Sequence, residues 1–353
     1  MPLRRPEVNK PMTLEQSTPA KAPPKPKLGI NPRYGWPLLA LFLLLAVNLV
    51  LDPGFFSIHI QDGRLYGSLI DILNRAAPVA LLAIGMTLVI ATGGIDLSVG
   101  AVMAVAGAVC ANLLVAGVSL PLVIVAGLVT GLVCGLVNGA LVSYMGIQPI
   151  VATLLLMVAG RGIAQLINAG QIVTFQNAGF AFLGSGSFLG FPTPVWLVLL
   201  VAVVFQLLLR RSALGLFIEA VGCNASASRY LGVNDRGIKL FSYLVTGLCA
   251  ALAGMIATAD IQGADGNNTG LWLELDAILA VVIGGASLTG GRFSIPLSVV
   301  GALIIQSLAT TIIVSGIDPR FNLLIKALVV LLVLLLQSPQ FRGQLKRLVG
   351  RSK

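Results

Sequence analysis

The sequence predicts an all-α, polytopic membrane protein of about ten transmembrane helices, some of them broken. Three observations predict it. Of 353 residues, 57% are hydrophobic and only 10% charged, where a soluble domain carries about a quarter charged residues. The apolar residues fall into repeated runs near the roughly 20 residues of one bilayer crossing. Several runs are broken by Gly-Gly pairs with small polar residues rather than by charged loops. There is too little polar residue to coat a globule, which disfavours a soluble fold with buried helices.

Residues 1–35 are polar and rich in Pro and Lys ("STPAKAPPKPKLG"), with Arg4, Arg5, Lys10, Lys21, Lys25, Lys27 and Arg33. The stretch is too long and polar for a secretory leader, and no small-residue cleavage site follows the first apolar run. It is expected to be a disordered cytoplasmic tail. A transmembrane domain over 36–337 and a basic cytoplasmic tail over 338–353 complete the expected organisation. The ten apolar segments are 36–51, 72–92, 98–116, 119–144, 150–169, 193–210, 237–259, 272–286, 293–314 and 321–337. Helices are the default spanning element, because unpaired backbone polar groups are too costly in lipid.

The second and third segments are joined by "VIATGGIDLSVGA", residues 89–101. Gly93 and Gly94 interrupt the apolar run and are expected to free backbone amides near Asp96. A carboxylate inside hydrocarbon costs several kcal/mol. "Asp-Leu-Ser" ahead of an apolar run fits a helix N-cap. Asp96 and Ser98 fit a broken helix lining a polar pathway equally well, and the two readings are compatible.

The fourth segment contains "GLVTGLVCGLVNG", with Gly127, Gly131, Gly135 and Gly139 on one helix face. Small residues let helix backbones approach closely where lipid and neighbour are equally apolar. A tight crossing within the chain is favoured here over a subunit interface. Asn138 belongs to the small set of polar groups in or near the apolar runs, with Arg161, Gln165, Arg292 and Lys326. Arg161 and Lys326 are expected to snorkel or to pair within the bundle.

The 210–239 segment, "RRSALGLFIEAVGCNASASRYLGVNDRGIKL", is longer than the other internal loops and too well patterned for a linker. "LGLFIEAVG" and "ASASRYLGV" read as two short helices separated at Gly222 and Asn224 and ended at Gly232. Two compact helices projecting from a membrane bundle are expected to form a docking surface for a soluble partner.

Glu274 and Asp276, in "GLWLELDAILA", open the eighth segment. Acids in a first helical turn are favoured by the dipole, so an extracytoplasmic helix start accounts for them, with the polar pathway as the functional reading. The next stretch, "VVIGGASLTGGRFSIPLSVVGALIIQSL", repeats the design of the 89–114 region: an apolar run, a Gly-Gly break and a second apolar run. Such paired breaks point to an internal duplication, and in transporters they often line the pathway.

Charge sets the expected orientation. The N-terminal tail, the 210–239 segment and the C-terminal "QFRGQLKRLVGRSK" are basic, and with ten spans all three fall on one side, the cytoplasm. Asp52, Asp62, Asp71, Asp260, Asp265 and Asp318 fall on the other, and 170–192 carries no charge. The net charge of +10 is therefore mostly topology and argues for no nucleic-acid partner.

Several chemistries are disfavoured. Cys110, Cys134, Cys223 and Cys249 are scattered without metal-ligand or disulfide spacing, and His59 is the single histidine. No metal, no cofactor and no catalytic residue is expected. The chain has no G-x-x-x-x-G-K-[ST] motif, so ATP-driven transport would need a motor on another subunit.

"NRAAPVALLAIGMTLVIATGGIDLSVGAVMAVAGA", "EAVGCNASASRYLGV" and "ELDAILAVVIGGASLTGGR" resemble the membrane permeases of bacterial monosaccharide ABC importers of the ribose/xylose/galactose type. "DGRLYGS" and "QLINAGQIVTF" are similar to the galactofuranose-importing permeases among them. The resemblance covers nearly everything after the N-terminal tail. It implies a type II-like permease fold in the bacterial inner membrane, with both termini cytoplasmic. A cytoplasmic ABC ATPase would bind the 211–236 loop through Glu219, Ala220, Gly222, Asn224, Ala227 and Gly232. A periplasmic sugar-binding protein would dock on the other face, and a second permease chain would complete a heterodimer in the lipid. The pathway candidates are Gly93, Gly94, Asp96, Ser98, Asn138, Glu274 and Asp276. Two rivals are a branched-chain amino-acid ABC permease, whose site must hold a zwitterion, and an ion-coupled secondary transporter, which leaves the 210–239 helices unexplained. A scaffold protein would have no use for broken helices.

Overall fold

The computed structural model describes residues 32–61, 63–316 and 318–337. The segments 1–31 and 338–353, with Asp62 and Ile317, lie outside the described residues. The chain is helical, with three two-stranded ribbons of two or three residues per strand.

Ten apolar helices coincide with the ten expected segments. They are α1 (Pro32–Leu51), α2 (Ser68–Ala91), α3 (Val99–Val115), α4 (Leu120–Ser143) and α5 (Pro149–Ile167) in the first half. A short α6 (Ala178–Ser185) precedes α7 (Thr193–Arg211), and α8 (Leu214–Cys223) and α9 (Ala225–Tyr230) follow it. The remainder are α10 (Asp235–Ile261), α11 (Leu273–Ile283), α12 (Ile295–Val314) and α13 (Asn322–Gln337). Six of them, α2, α4, α5, α7, α10 and α12, are long and apolar enough to cross a membrane by length and composition alone. The helices α3 and α11 are shorter, and each begins among buried residues, Ser98 and Val99 for α3 and Glu274 for α11.

The helix α2 is the central element, buried along most of its length against α7, α10, α11 and α12. Leu82, Ile84, Met86, Leu88 and Ile90 of α2 meet Met103 of α3, Cys249 of α10, Val281 of α11 and Ile305 of α12 in one core. Lipid tails are as apolar as these side chains, so burial alone does not hold the helices together, and close packing with interhelical hydrogen bonds has to. Thr87 Oγ1 donates to Ser298 Oγ at 2.7 Å and joins α2 to α12. The glycine stripe of α4 packs on α10. A Cβ on Gly131 would overlap the Gly247 carbonyl oxygen, one on Gly135 would lie 3.0 Å from Leu244 Cα, and Gly139 faces Leu240. Gly127 faces Cys110 of α3 and Met255 of α10.

The 170–192 stretch, expected only as an uncharged loop, contains α6. Asn177 caps it, its Oδ1 accepting from the Phe180 amide at 2.9 Å. Val173–Thr174 pairs antiparallel with Gly263–Ala264 and ties this stretch to the α10–α11 loop.

Candidate functional site

The two Gly-Gly breaks close their helices in the same way. Gly93 follows α2 with φ of 81°, and the Gly94 amide donates to the Val89 carbonyl at 3.0 Å. Gly285 follows α11 with φ of 87°, and the Ala286 amide donates to Val281 at 3.2 Å. Both are Schellman-type caps, which need a residue that tolerates the left-handed region. This corrects one expectation. The amides of Gly93 and Gly94 are spent on the α2 terminus and are not free for Asp96.

Asp96 instead binds forward along the chain. Its Oδ1 accepts from the Ser98 amide at 2.9 Å, from Ser98 Oγ at 2.6 Å and from Asn138 Nδ2 at 3.4 Å. Asn138 Nδ2 also donates to Ser98 Oγ at 2.8 Å. The acceptor serves a turn two residues on, not the first-turn amides of α3, so the N-cap expectation becomes an Asx-type turn. All three side chains are almost wholly buried, at 2%, 0% and 1% exposure for Asp96, Ser98 and Asn138. Tyr243 of α10, with no periodic signal to mark it in the sequence, brings its hydroxyl beside Gly94, and that oxygen has no partner among the described residues.

Glu274 joins this neighbourhood from the other half of the chain. Its Oε2 lies where a Cβ on Gly100, in the first turn of α3, would have to go, and it has no hydrogen-bond partner among the described residues. Gly100 and Gly270 bring the starts of α3 and α11 into backbone contact. The starts of two helices therefore meet inside the bundle. Asp276 is not part of that meeting. It points to α13, where Lys326 Nζ lies 2.7 Å from its Oδ2, both side chains being mostly buried.

Arg161 of α5 holds the loop that leads into α11. Its Nη1 donates to the carbonyls of Thr269 at 2.6 Å and Asn267 at 3.2 Å, and Gln165 Nε2 donates to Asn267 Oδ1 at 2.6 Å. Within the loop, burial alone would push the Asp265 carboxyl up. Hydrogen bonds from the Asn268 side chain and the Asn267 and Asn268 amides, with Arg161 nearby, more than offset this and hold it below the usual carboxylate range.

At the C-terminal end of α2, beside Gly93, α8 and α9 form the expected helix pair. Asn224 caps α9, its Oδ1 accepting from the Ala227 amide at 2.9 Å. Gly232, at φ of 84°, ends it. Arg229 grips Asp235 at the start of α10 with two hydrogen bonds of 2.9 and 2.8 Å. Glu219 and Ala220 are half-buried, whereas Tyr230 and Leu231 at the tip are 92% and 84% exposed. Gly222 sits against the end of α2 and against the Gly290–Gly291 pair of the loop between α11 and α12. A Cβ there would overlap the Ala91 carbonyl and the Gly291 amide, and one on Gly290 would come 2.7 Å from the Gly222 carbonyl and 3.1 Å from the Gly93 nitrogen. Gly290 and Gly291, which the sequence marked only as part of a repeat, thus complete a junction of three segments.

Comparison with known proteins places residues 68–334 in the family described as "Branched-chain amino acid transport system / permease component". The chain is 60% identical over 326 residues to the galactofuranose transporter permease protein of Escherichia coli K12, covering 91% of this chain and 96% of that one. It is 41% identical to the fructose import permease protein of Bifidobacterium longum, covering 87% and 88%. It is 38% identical to the ribose import permease protein of Escherichia coli K12, covering 85% and 92%.

Proposed function

The chain belongs to the permease-component family of the branched-chain amino acid transport systems, and on that premise we propose that it is the membrane-spanning subunit of an ATP-driven importer of a monosaccharide, galactofuranose or a related hexose or pentose. The three relatives above are named for sugars, which favours a sugar over an amino acid despite the family's description. The observation that carries the ATP-driven part is the α8–α9 pair. It is tied to α10 by Arg229–Asp235, presents exposed Tyr230 and Leu231, and seats Gly222 on both broken segments. Exposed Tyr230 and Leu231 at the tip of this helix pair support its reading as a docking surface, and its base touches the parts of the bundle that would have to move.

In this reading a separate cytoplasmic ATPase docks on the coupling element made of Glu219, Ala220, Gly222, Asn224, Ala227 and Gly232, with Gly222 on its inner side against the bundle, and a periplasmic sugar-binding protein docks on the opposite face. A second, different permease chain pairs with this one. Residues 1–35 and 338–353 are cytoplasmic tails in the inner membrane topology, flanking the permease domain 36–337. Sugar passes the meeting point of α3 and α11, near Gly93, Gly94, Asp96, Ser98, Asn138 and Glu274, with Asp276 held aside by Lys326. The ATPase must interact differently with inward- and outward-open states, or ATP would shift nothing.

The test is co-purification from the native membrane. Recovery of a Walker-motif ATPase and a second permease, with the ATPase lost in Glu219→Arg, supports the reading. Recovery of the chain alone, transporting under an ion gradient without ATP, overturns it.

A further inference from the structure

A cavity of about 350 Å³ opens between the N-terminal half of α2, the C-terminal end of α10 and the 265–269 loop. Its polar lining is Asn74, Arg75, Asp260, Asp265, Asn268 and Thr269, and Pro78 and Ile256 form part of an apolar wall. It lies at the other end of α2 from the coupling pair. Arg75 and Ala91, which meets Gly222, are about 24 Å apart at 1.5 Å per helical residue.

The chemistry of the lining is mixed in a particular way. Arg75 offers only donors and Asp260 only acceptors when ionised, while Asn74, Asn268 and Thr269 offer both. Asn74 has spare capacity: its Oδ1 has no partner among the described residues, and a turn of the side-chain amide is what would bring that oxygen from its closed position to the cavity. Its backbone carbonyl also loses the usual helical donor, because Pro78, four residues on, has no N–H. The volume is at the small end of the range for small-molecule sites, roughly 300–1,000 Å³. A sugar hydroxyl both donates and accepts, and a sugar ring has a C–H face that suits the Pro78–Ile256 wall. The back of the cavity is the loop whose carbonyls Arg161 grips and which leads to Glu274.

We propose that this cavity is a transit site for a monosaccharide, an antechamber in which Asn74, Arg75, Asp260 and Asn268 bind ring hydroxyls before the sugar reaches the α3–α11 meeting point. The proposal rests on the reading of the chain as a sugar importer. Asp265 serves it indirectly, by folding the loop through its bonds to Asn267 and Asn268.

The test uses spheroplasts carrying the complete importer with Cys223→Ser and Thr269→Cys, labelled by a membrane-impermeant thiosulfonate. D-galactose, D-fructose and D-ribose are the probes, with L-leucine as the zwitterionic control. At a concentration about twice its dissociation constant, a transported sugar slows labelling about threefold, and L-leucine does not. Asn74→Ala and Asp260→Asn each abolish that protection in spheroplasts and lower initial sugar uptake by intact cells about tenfold, with the chain's membrane level and its ATPase association unchanged. If wild-type cells import a sugar but no sugar protects, the cavity proposal falls and the import reading stands. Protection by a sugar-stripped periplasmic fraction in place of sugar overturns it in favour of a protein contact. Import of L-leucine alone overturns both.

Discussion

The amide of Gly291 donates to the carbonyl of Ala91 at 2.8 Å, joining the second broken segment to the end of α2 directly beneath α8. Gly222 lies against both atoms of this bond, so on the proposed coupling role a movement of the helix pair would reach both of these segments at one point.

Gly222→Ala is therefore expected to uncouple and not to undock. The added methyl overlaps the Ala91 carbonyl and overpacks the junction by about 1–3 kcal/mol, while exposed Tyr230 and Leu231 stay as they are. The ATPase should still co-purify, whereas sugar imported per ATP hydrolysed should fall at least about fivefold. Unchanged stoichiometry in reconstituted vesicles would remove the junction from the coupling route.

Asp96→Asn separates the turn from the carboxyl group. The amide oxygen can still accept from the Ser98 amide and hydroxyl, so the fold has no need of an acid there, and an intramembrane ionisable group is by default functional. The variant should reach the membrane at the normal level with uptake down about tenfold. Asp96→Ala should in addition lower thermal stability by about 0.5–1.5 kcal/mol for each hydrogen bond it removes. Normal uptake by the Asn variant would reduce Asp96 to a structural turn.

Gly131→Val tests the α4–α10 crossing. The side chain must displace the Gly247 carbonyl or Ala251, and overpacking of about 1–3 kcal/mol should appear as a lower Tm in detergent. Val133→Leu, on the exposed side of the same helix, should change stability by under about 0.5 kcal/mol. Equal shifts in the two variants would refute the asymmetry.

The Asp276–Lys326 pair should behave as a unit. Lys326→Met alone strands a mostly buried carboxyl at a cost of about 3–5 kcal/mol, while Asp276→Leu with Lys326→Met should restore most of the loss. A double-mutant cycle on Tm measures the coupling. A coupling under about 0.5 kcal/mol would mean that α11 and α13 do not meet through this pair.

Much of the fold was legible in the sequence for a physical reason. The bilayer imposes helix length and apolarity on each segment separately, so α1 to α5, α7 and α10 to α13 announce themselves locally. The α4 stripe is equally local, because four-residue spacing marks one helix face whatever lies opposite. The α8–α9 pair showed through its caps, Asn224 and Gly232, which act within a few residues. The short α6 was missed because eight residues in an uncharged, Gly-rich stretch carry too little period to be seen.

What the sequence determined by itself was the set of helices, their breaks and the two-fold echo between halves, since each of these is decided by neighbours along the chain. Tertiary structure alone decided that Asp96 turns to Ser98 and Asn138, that Asp276 is held by Lys326, that Glu274 faces Gly100, and that Gly222 seats on Ala91 and Gly291. Each of those contacts, apart from the local turn to Ser98, joins residues far apart in sequence, chosen by the shape of a close-packed bundle. No local period records such a choice, because in lipid it is packing geometry and polar pairing, rather than apolarity, that select one helix's neighbour over another.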